Sequence, residues 1–385
     1  MTHTGKTKGR AAVRVSEKNR LILWTRAGGN CQYSGCNEPL IGDIISGAEK
    51  LNTAYIAHIV AAAPKGPRGD LIRSHELADD INNLMLLCDT HHRLIDREDV
   101  VGHPESRLLE MKAAHEARIA LQTSINVDRA THLLHYAARI GDHDCLVSAA
   151  HSRAAVLPER YPLGHPLALE LKDSSFSEND SAYWQFQYDH LARQFELRVG
   201  ERLRQGEIRH LSVFAVAPQP LLILLGSLLS DIADVDVRQI SREPKGWAWR
   251  ESWPPIIFLD RKAEPRPALK VALNLGVSAT INDARISNVL GANVPVWAIE
   301  AESPGNDILG RPECLGAFRT LLRQAFAAIR LAHGDDAEIH VFPALPVAMA
   351  IEVGRVWMPK ADLPLVLWDE RRDQGGFQQR LVIGR

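Results

Sequence analysis

The stretch Asn83–Asp96, "NLMLLCDTHHRLID", sets one cysteine three residues ahead of two adjacent histidines, directly after an apolar run. A packed core rarely keeps even one unpaired polar group. Here three metal-competent side chains fall within about one helical turn. Upstream, "CQYSGC" places Cys31 and Cys36 in a C-x4-C pair, and Cys88 with His91 makes C-x2-H. Two such pairs fit a closed tetrahedral zinc site, because thiolate and imidazole are the borderline-soft donors that Zn2+ takes. All four positions are filled by protein, so the expected Zn2+ is structural and adds folding free energy to a segment broken by Gly/Pro turns.

His92 is left for other work. His58 lies in "AHIV", just before the Pro/Gly-rich "APKGPRGD", and Asn83 stands on the approach to the helix. Singly, His58 reads as a satisfied core histidine and Asn83 as a turn former. As a set they suit phosphodiester hydrolysis. A neutral histidine activates water, a divalent metal neutralises the scissile phosphate and the leaving oxygen, and an asparagine fixes the hairpin that carries the base. Residues 20–100 resemble HNH endonucleases of the ββα-metal type, with "CQYSGC", "AHIVAAAPKGPRGD" and "NLMLLCDTHHRLID" as the matching blocks. By that resemblance His58 is the general base, Asn83 the middle asparagine and His92 the helix-borne ligand of a catalytic Mg2+ or Mn2+. One departure matters. Many HNH enzymes carry Asp or His just before the base as a second metal ligand, and this chain has Ala57. Asp89 and Asp96 are the candidates to replace it.

At 385 residues the chain is too long for one ordinary domain. A hydrophobic content of 45% with 24% charged residues is that of a globular protein with a sizeable core. No apolar run approaches the roughly eighteen residues of a membrane span, and the N-terminus lacks the apolar stretch of a secretory signal. The expectation is a cytoplasmic protein with no membrane partner. Five cysteines do not make a disulfide framework. A net charge of −2 excludes coating of nucleic acid by bulk positive potential. The first twenty residues nevertheless carry Lys6, Lys8, Arg10, Arg14, Lys18 and Arg20 against Glu17 alone, a basic arm able to neutralise phosphates.

Beyond about residue 160 the pattern changes. Strand-like runs "HLSVFAVA", "PALKVALNLG", "VPVWAIE", "EIHVFPA" and "LPLVLWD" alternate with helical stretches such as "AFRTLLRQAFAAIRLA", which argues for an α/β sheet. An internal echo runs through it. "FAVAPQPLLILLG" (Phe214–Gly226) and "FPALPVAMAIEVG" (Phe342–Gly354) have equal length and share Phe, Pro and Gly at matching places: Phe214 with Phe342, Pro218 with Pro346, Gly226 with Gly354. Each reads as a strand end, a Pro turn and an apolar helix, so the domain is expected to be two Rossmann-like halves in tandem.

This region resembles the SAVED domain, a cyclic-oligonucleotide sensor of bacterial anti-phage signalling that is itself two fused CARF-like halves. The matching blocks are "HLSVFAVAPQPLLILLGSLL", "ALKVALNLGVSATI" and "HVFPALPVAMAIEVGRVWMPKADLPLVLWD". The pairing of HNH with SAVED resembles the HNH–SAVED effectors of CBASS defence. A cyclic di- or trinucleotide needs cations or amides for its phosphates and flat faces for its bases. "RQISREPKGWAWRESW" offers Arg242, Lys245, Trp247 and Trp249, Lys360 follows the second Pro-turn helix, and the turns at Pro218, Phe342, Pro343 and Pro346 sit where α/β sheets bind anions.

The expected architecture is a zinc-stapled α+β HNH domain with the basic arm over 1–120, a helical connector over 121–160, and an α/β SAVED domain over 161–385. The resemblance implies a nuclease switched on by a cyclic nucleotide, assembling as a homo-oligomer (dimer or tetramer) and cutting double-stranded DNA with little sequence preference. A second reading is a modification-dependent restriction endonuclease whose C-terminal domain reads modified DNA. A third, a non-catalytic nucleic-acid-binding protein with a dead zinc module, is disfavoured by the intact His58, Asn83 and His92.

Overall fold

The chain divides between Asn126 and Val127 into two units. The computed structural model describes residues 15–41, 53–140, 145–169, 181–229, 234–250, 252–371 and 375–384. Most of the basic arm, Lys6, Lys8, Arg10 and Arg14, lies outside them.

The first unit begins with α1 (Glu17–Ala27). Ser16 caps it by accepting from the Asn19 amide, and Gly28, at φ 61°, ends it in the left-handed region that glycine adopts without strain. Strands β1 (Tyr55–His58) and β2 (Leu84–Leu87) form an antiparallel hairpin with His58 opposite Leu84. The short α2 (Arg73–Glu76) lies in their connection. Helix α3 (Asp89–Arg93) leaves β2 at once, and α4 (Glu105–Thr123) starts after Pro104. All four residues of β2 are buried among Leu23, Ala27, Ile59 and Leu108, so the strand is the spine of this unit's core.

The second unit holds two sheets. The first comprises β3 (Ala130–Ala137), β4 (Tyr161–Pro162), β5 (Leu167–Ala168), β6 (His210–Val216) and β7 (Asp234–Val237), in the order β4-β3-β6-β7 with β5 also beside β3. Every pair is parallel. Its helices are α5 (Ala149–Val156), α6 (Ser181–Phe195), the short α7 (Glu201–Arg204) and α8 (Gln219–Leu228). The second sheet runs β13-β12-β11-β9-β10-β8. Its members are β8 (Phe258–Arg261), β9 (Lys270–Gly276), β10 (Val296–Ala301), β11 (Glu338–Ala344), β12 (Leu365–Arg371) and β13 (Gly376–Ile383). Its centre is parallel and both edges are antiparallel. Helices α9 (Asp283–Leu290), α10 (Glu313–His333) and α11 (Val347–Val356) belong with it.

The five apolar runs picked out by pattern are β6, β9, β10, β11 and β12. Residues 121–160, expected as a helical connector, instead carry β3 between the end of α4 and α5. In β3, "ATHLLHYA", two histidines interrupt the apolar run, and the strand is set by pairing with β6 from His132–Leu211 to Ala137–Val216.

The echo has a geometric cause. Pro218 and Pro346 cap α8 and α11, and both helices are apolar nearly all round because they pack on each other between the sheets' cores. A Cβ on Gly226 would collide with the Ile351 carbonyl, and one on Gly354 with the Ile223 carbonyl. Each glycine therefore admits the backbone of the other helix, and the two contacts are the same contact seen from either half. Gly226→Ala and Gly354→Ala should each destabilise the second unit by about 1–3 kcal/mol, measured by urea unfolding, and the double variant should cost less than the sum because both disturb one crossing.

Candidate active site

Four donors close on one point in the first unit. Cys31, Cys36, Cys88 and His91 have ligand atoms within 4.8 Å of one another, the one such cluster found among the described residues. His91 Nδ1 lies 3.1 Å from Cys88 Sγ and 3.8 Å from Cys31 Sγ. Donors around a tetrahedral ion with Zn–S of about 2.3 Å and Zn–N of about 2.0 Å sit about 3.5–3.8 Å apart, so this set fits a thiophilic ion. The local chain explains the convergence. Gln32 joins β2 beside Leu86, donating its amide to the Leu86 carbonyl at 2.9 Å and accepting the Leu86 amide on Oε1 at 2.8 Å. That lays the cysteine turn next to Cys88. Tyr33 stacks on His91 at 4.0 Å. His103 donates Nδ1–H to the Asp99 carbonyl at 2.7 Å, so its Nε2 accepts the Tyr33 hydroxyl at 3.0 Å. Burial pushes the Cys31 thiol up to about 12 and raises Cys88 too, while it lowers His91.

The second group begins at the end of β1. His58 Nε2 lies 2.9 Å from the Ala78 carbonyl. A carbonyl only accepts, so Nε2 carries the proton and Nδ1 keeps the lone pair that a general base needs. Asn83, 5% exposed, clamps the mouth of the hairpin. Its Oδ1 accepts the Val60 amide at 2.7 Å, and its Nδ2 donates to the Val60 and Leu77 carbonyls at 2.9 and 3.0 Å. His92 stands on α3, stacked on Tyr55 of β1 at 4.8 Å.

Asp96 Oδ2 approaches His92 Nε2 at 3.4 Å, one helical turn on. Neighbouring donors on an octahedral Mg2+ sit about 3.0 Å apart, so a small closure of this pair would bring both onto one ion. Ala57 is 1% exposed and faces the core, so position 57 has no ligand to offer. Asp89 instead pairs with Arg93 on the exposed side of α3. Pattern reading passed over Arg68. Its side chain donates to the Ile59 carbonyl at 2.6 Å, the Ile95 carbonyl at 2.8 Å, and Asp96 Oδ1 at 2.7 Å. One guanidinium thus ties Asp96 to the residue after His58, leaving Asp96 Oδ2 turned to His92. Arg68 sits at φ 54°, unusual for a non-glycine residue; nothing in "KGPRGD" marks that arginine above its neighbours.

In the second unit the nine residues picked for a ligand part company. Phe342 is fully buried, stacked on Trp368 at 5.2 Å with Phe377 edge-on at 4.9 Å. Trp247 is 4% exposed and packs edge-on against Phe214. Neither offers a free face for a base, because each ring is taken up by a local core. Pro218, Pro343 and Pro346 are buried, and Trp249 is half-buried against the main core. Arg242, Lys245 and Lys360 are exposed. The two proline turns do meet: Gln219 Oε1 accepts the Leu345 amide at 3.1 Å and its Nε2 donates to the Leu345 carbonyl. Gln239, missed from sequence, caps α11 by accepting the Ala348 amide at 3.0 Å. It stands three residues before Arg242, whose turn is closed by the Ser241–Gly246 bridge.

Replacing Asn83 by Ala should leave the Val60 amide and the Val60 and Leu77 carbonyls short of partners. The first unit should lose at least about 2 kcal/mol, read by thermal unfolding of the full chain. Asn83→Asp should be no better, since a carboxylate cannot donate to two carbonyls.

Residues 31–101 match the family model for HNH endonucleases, and residues 191–383 match the SAVED model, "SMODS-associated and fused to various effectors sensor domain". Among solved structures, the Acinetobacter baumannii Cap4 SAVED/CARF-domain containing receptor with the cyclic trinucleotide 2'3'3'-cAAA is similar at 13% identity and a TM-score of 0.43, over 82% of this chain and 71% of that one. The Moraxella osloensis Cap4 SAVED/CARF-domain containing receptor is similar at 12% identity and a TM-score of 0.43, over 72% of this chain and 58% of that one. No curated protein matches the sequence at a significant level. No helix among the described residues is long and apolar enough to cross a membrane.

Proposed function

The chain belongs to the SAVED sensor family and carries a metal-dependent HNH endonuclease domain ahead of the sensor, and from that premise we propose that it is a DNA endonuclease switched on by a cyclic oligonucleotide. The observation that carries the catalytic part is the His58–Ala78 hydrogen bond, which leaves Nδ1 basic beside a hairpin locked by Asn83. His58 takes the proton from the attacking water. Asn83 holds the strand end that carries it. His92 Nε2 and Asp96 Oδ2 hold a Mg2+ or Mn2+, with Asp96 supplying the ligand that Ala57 lacks and Arg68 keeping its carboxylate in place. When bound, that ion neutralises charge on the scissile phosphate and the leaving oxygen. The cluster Cys31, Cys36, Cys88 and His91 holds a structural Zn2+.

The substrate is double-stranded DNA cut with low sequence preference, since among the described residues no element dedicated to reading base edges accompanies the HNH unit and phosphate contacts position without specifying. The messenger is a cyclic di- or trinucleotide. The similar Acinetobacter baumannii Cap4 receptor is described with cyclic trinucleotides. Its phosphates would meet Arg242, Lys245 or Lys360 near the two proline turns. Binding favours a homo-oligomer that pairs HNH units on opposite strands; the ligand must prefer the assembled state, because equal affinity for both shifts nothing. The biological outcome is abortive-infection defence against phage, in the cytoplasm.

Incubated with plasmid and a panel of cyclic di- and trinucleotides, the protein should cut DNA only with its messenger, at a larger mass by light scattering. Cutting of modified DNA with no nucleotide added would favour the modification-dependent reading instead. His58→Ala should lower the activated rate by at least about 10²-fold, the lower end of what a positioned base contributes, without changing the assembled mass.

Metal removal should separate the two sites. Brief EDTA should stop cleavage without unfolding the chain, whereas stripping Zn2+ should melt the first unit. Because burial raises Cys31 and Cys88, both are protonated near neutral pH, and Zn2+ uptake must release protons. The apparent zinc affinity should rise with pH through neutrality, read by competition with a chromogenic chelator. A flat profile would remove the thiols from the site.

A further inference from the structure

We propose that Leu71 and Ile72 form an apolar wedge that enters the base stack of duplex DNA beside the cleavage site. The proposal rests on double-stranded DNA being the substrate. Leu71 is 82% exposed and Ile72 69%. Apolar residues scattered singly over a surface mean little, but these two are neighbours at the apex of a loop built to hold them.

The loop between β1 and β2 is folded tightly on itself. Ala61 donates to the Pro67 carbonyl at 3.2 Å, Gly66 to Ala63 at 2.8 Å and Gly69 to Gly66 at 3.0 Å. A Cβ on Gly66 would meet Ala61, and one on Gly69 would meet the Pro64 carbonyl. Past that knot, the Asp70 carboxylate accepts the amides of Ile72 and Arg73, both at 2.9 Å. The backbone under Leu71 and Ile72 is therefore fixed before any partner arrives, which spares the ordering cost of binding.

The apex is also wired to the catalytic group. Arg68, three residues before Leu71, holds Asp96 and the Ile59 carbonyl. Leu77 and Ala78, just after α2, accept from Asn83 and His58. A partner seated on the apex therefore lies within the reach of the hydrolytic site, which selects its substrate over a membrane or another protein. Among the charges nearby, Arg68 is paired with Asp96 and Arg73 with Glu105, and the Asp70 carboxylate is spent on the Ile72 and Arg73 amides. The apex presents apolar surface, with Lys65 exposed on its shoulder for a phosphate. Apolar side chains inserted between base steps unstack them and kink the duplex. A kink opens the backbone to in-line attack without reading any base, which accords with low sequence preference.

The test uses the full chain with the cyclic-nucleotide panel present. Duplexes carrying donor and acceptor dyes at their ends report bending, and 2-aminopurine within them reports unstacking. In a His58→Ala background, which holds DNA uncut, the protein should bend the duplex and brighten 2-aminopurine. Adding Leu71→Ala and Ile72→Ala should abolish both signals, while Leu71→Met with Ile72→Met should keep them. With His58 intact, the Ala pair should cut a continuous duplex at least about tenfold more slowly, yet cut a duplex pre-kinked by a bulge at nearly the normal rate. That retained rate also reports a folded active site. Unchanged bending in the Ala pair, or equal loss on continuous and bulged duplexes, overturns the wedge alone. Failure of the unsubstituted protein to bind or cut any duplex overturns the DNA reading and the wedge with it.

Discussion

One turn of helix, Cys88 to His92, has to face two places at once, and successive residues on an α-helix diverge by about 100°. His91 turns to Cys31 and Cys88, stacked under Tyr33, while His92 turns to Tyr55 and Asp96. The rest of the first unit follows from that division. The sulfur side fixes the helix against the cysteine turn and, through Gln32, against β2. The other side then presents His92 and Asp96 with an orientation that a four-strand-residue hairpin and a one-turn helix could not hold unaided. Small units with small cores commonly need such a staple.

The chemistry side is organised by polar groups that are nearly all satisfied. Asn83 spends its amide on three backbone partners across the hairpin mouth, and Arg68 spends its guanidinium on carbonyls and on Asp96. Buried networks of this kind are costly when half-made and specifying when complete. Here they fix where a lone pair and a carboxylate oxygen point. The same bonds hold the connection between the strands, so the loop that carries Leu71 and Ile72 inherits the rigidity of the site.

The second unit depends on a different constraint, the close crossing of α8 and α11 at Gly226 and Gly354. Two apolar helices capped by Pro218 and Pro346 can bury their faces fully only if neither carries a Cβ at the crossing. The pairing brings the two proline turns together at Gln219 and Leu345 and sets the start of α11 against Gln239.

By itself the sequence singled out Cys31, Cys36, Cys88, His91, His58, Asn83 and His92 as the candidate set of the first unit, and the first four do converge in the fold. It also carried the duplicated strand–turn–helix of the second unit, since proline caps and a crossing glycine leave a mark at fixed intervals. Tertiary structure alone decided the remainder. β3 is a strand through pairing with β6 rather than through its own histidine-broken pattern. Trp247 and Phe342 are core because neighbouring elements cover them, which no local composition reveals. Asp96 stood level with Asp89 as a candidate until Arg68 and His92 converged on its two oxygens, and Arg68 was one cation among many until its guanidinium met partners from two separate segments. Short-range patterns record what a residue is able to do; long-range contacts select which of those abilities is used.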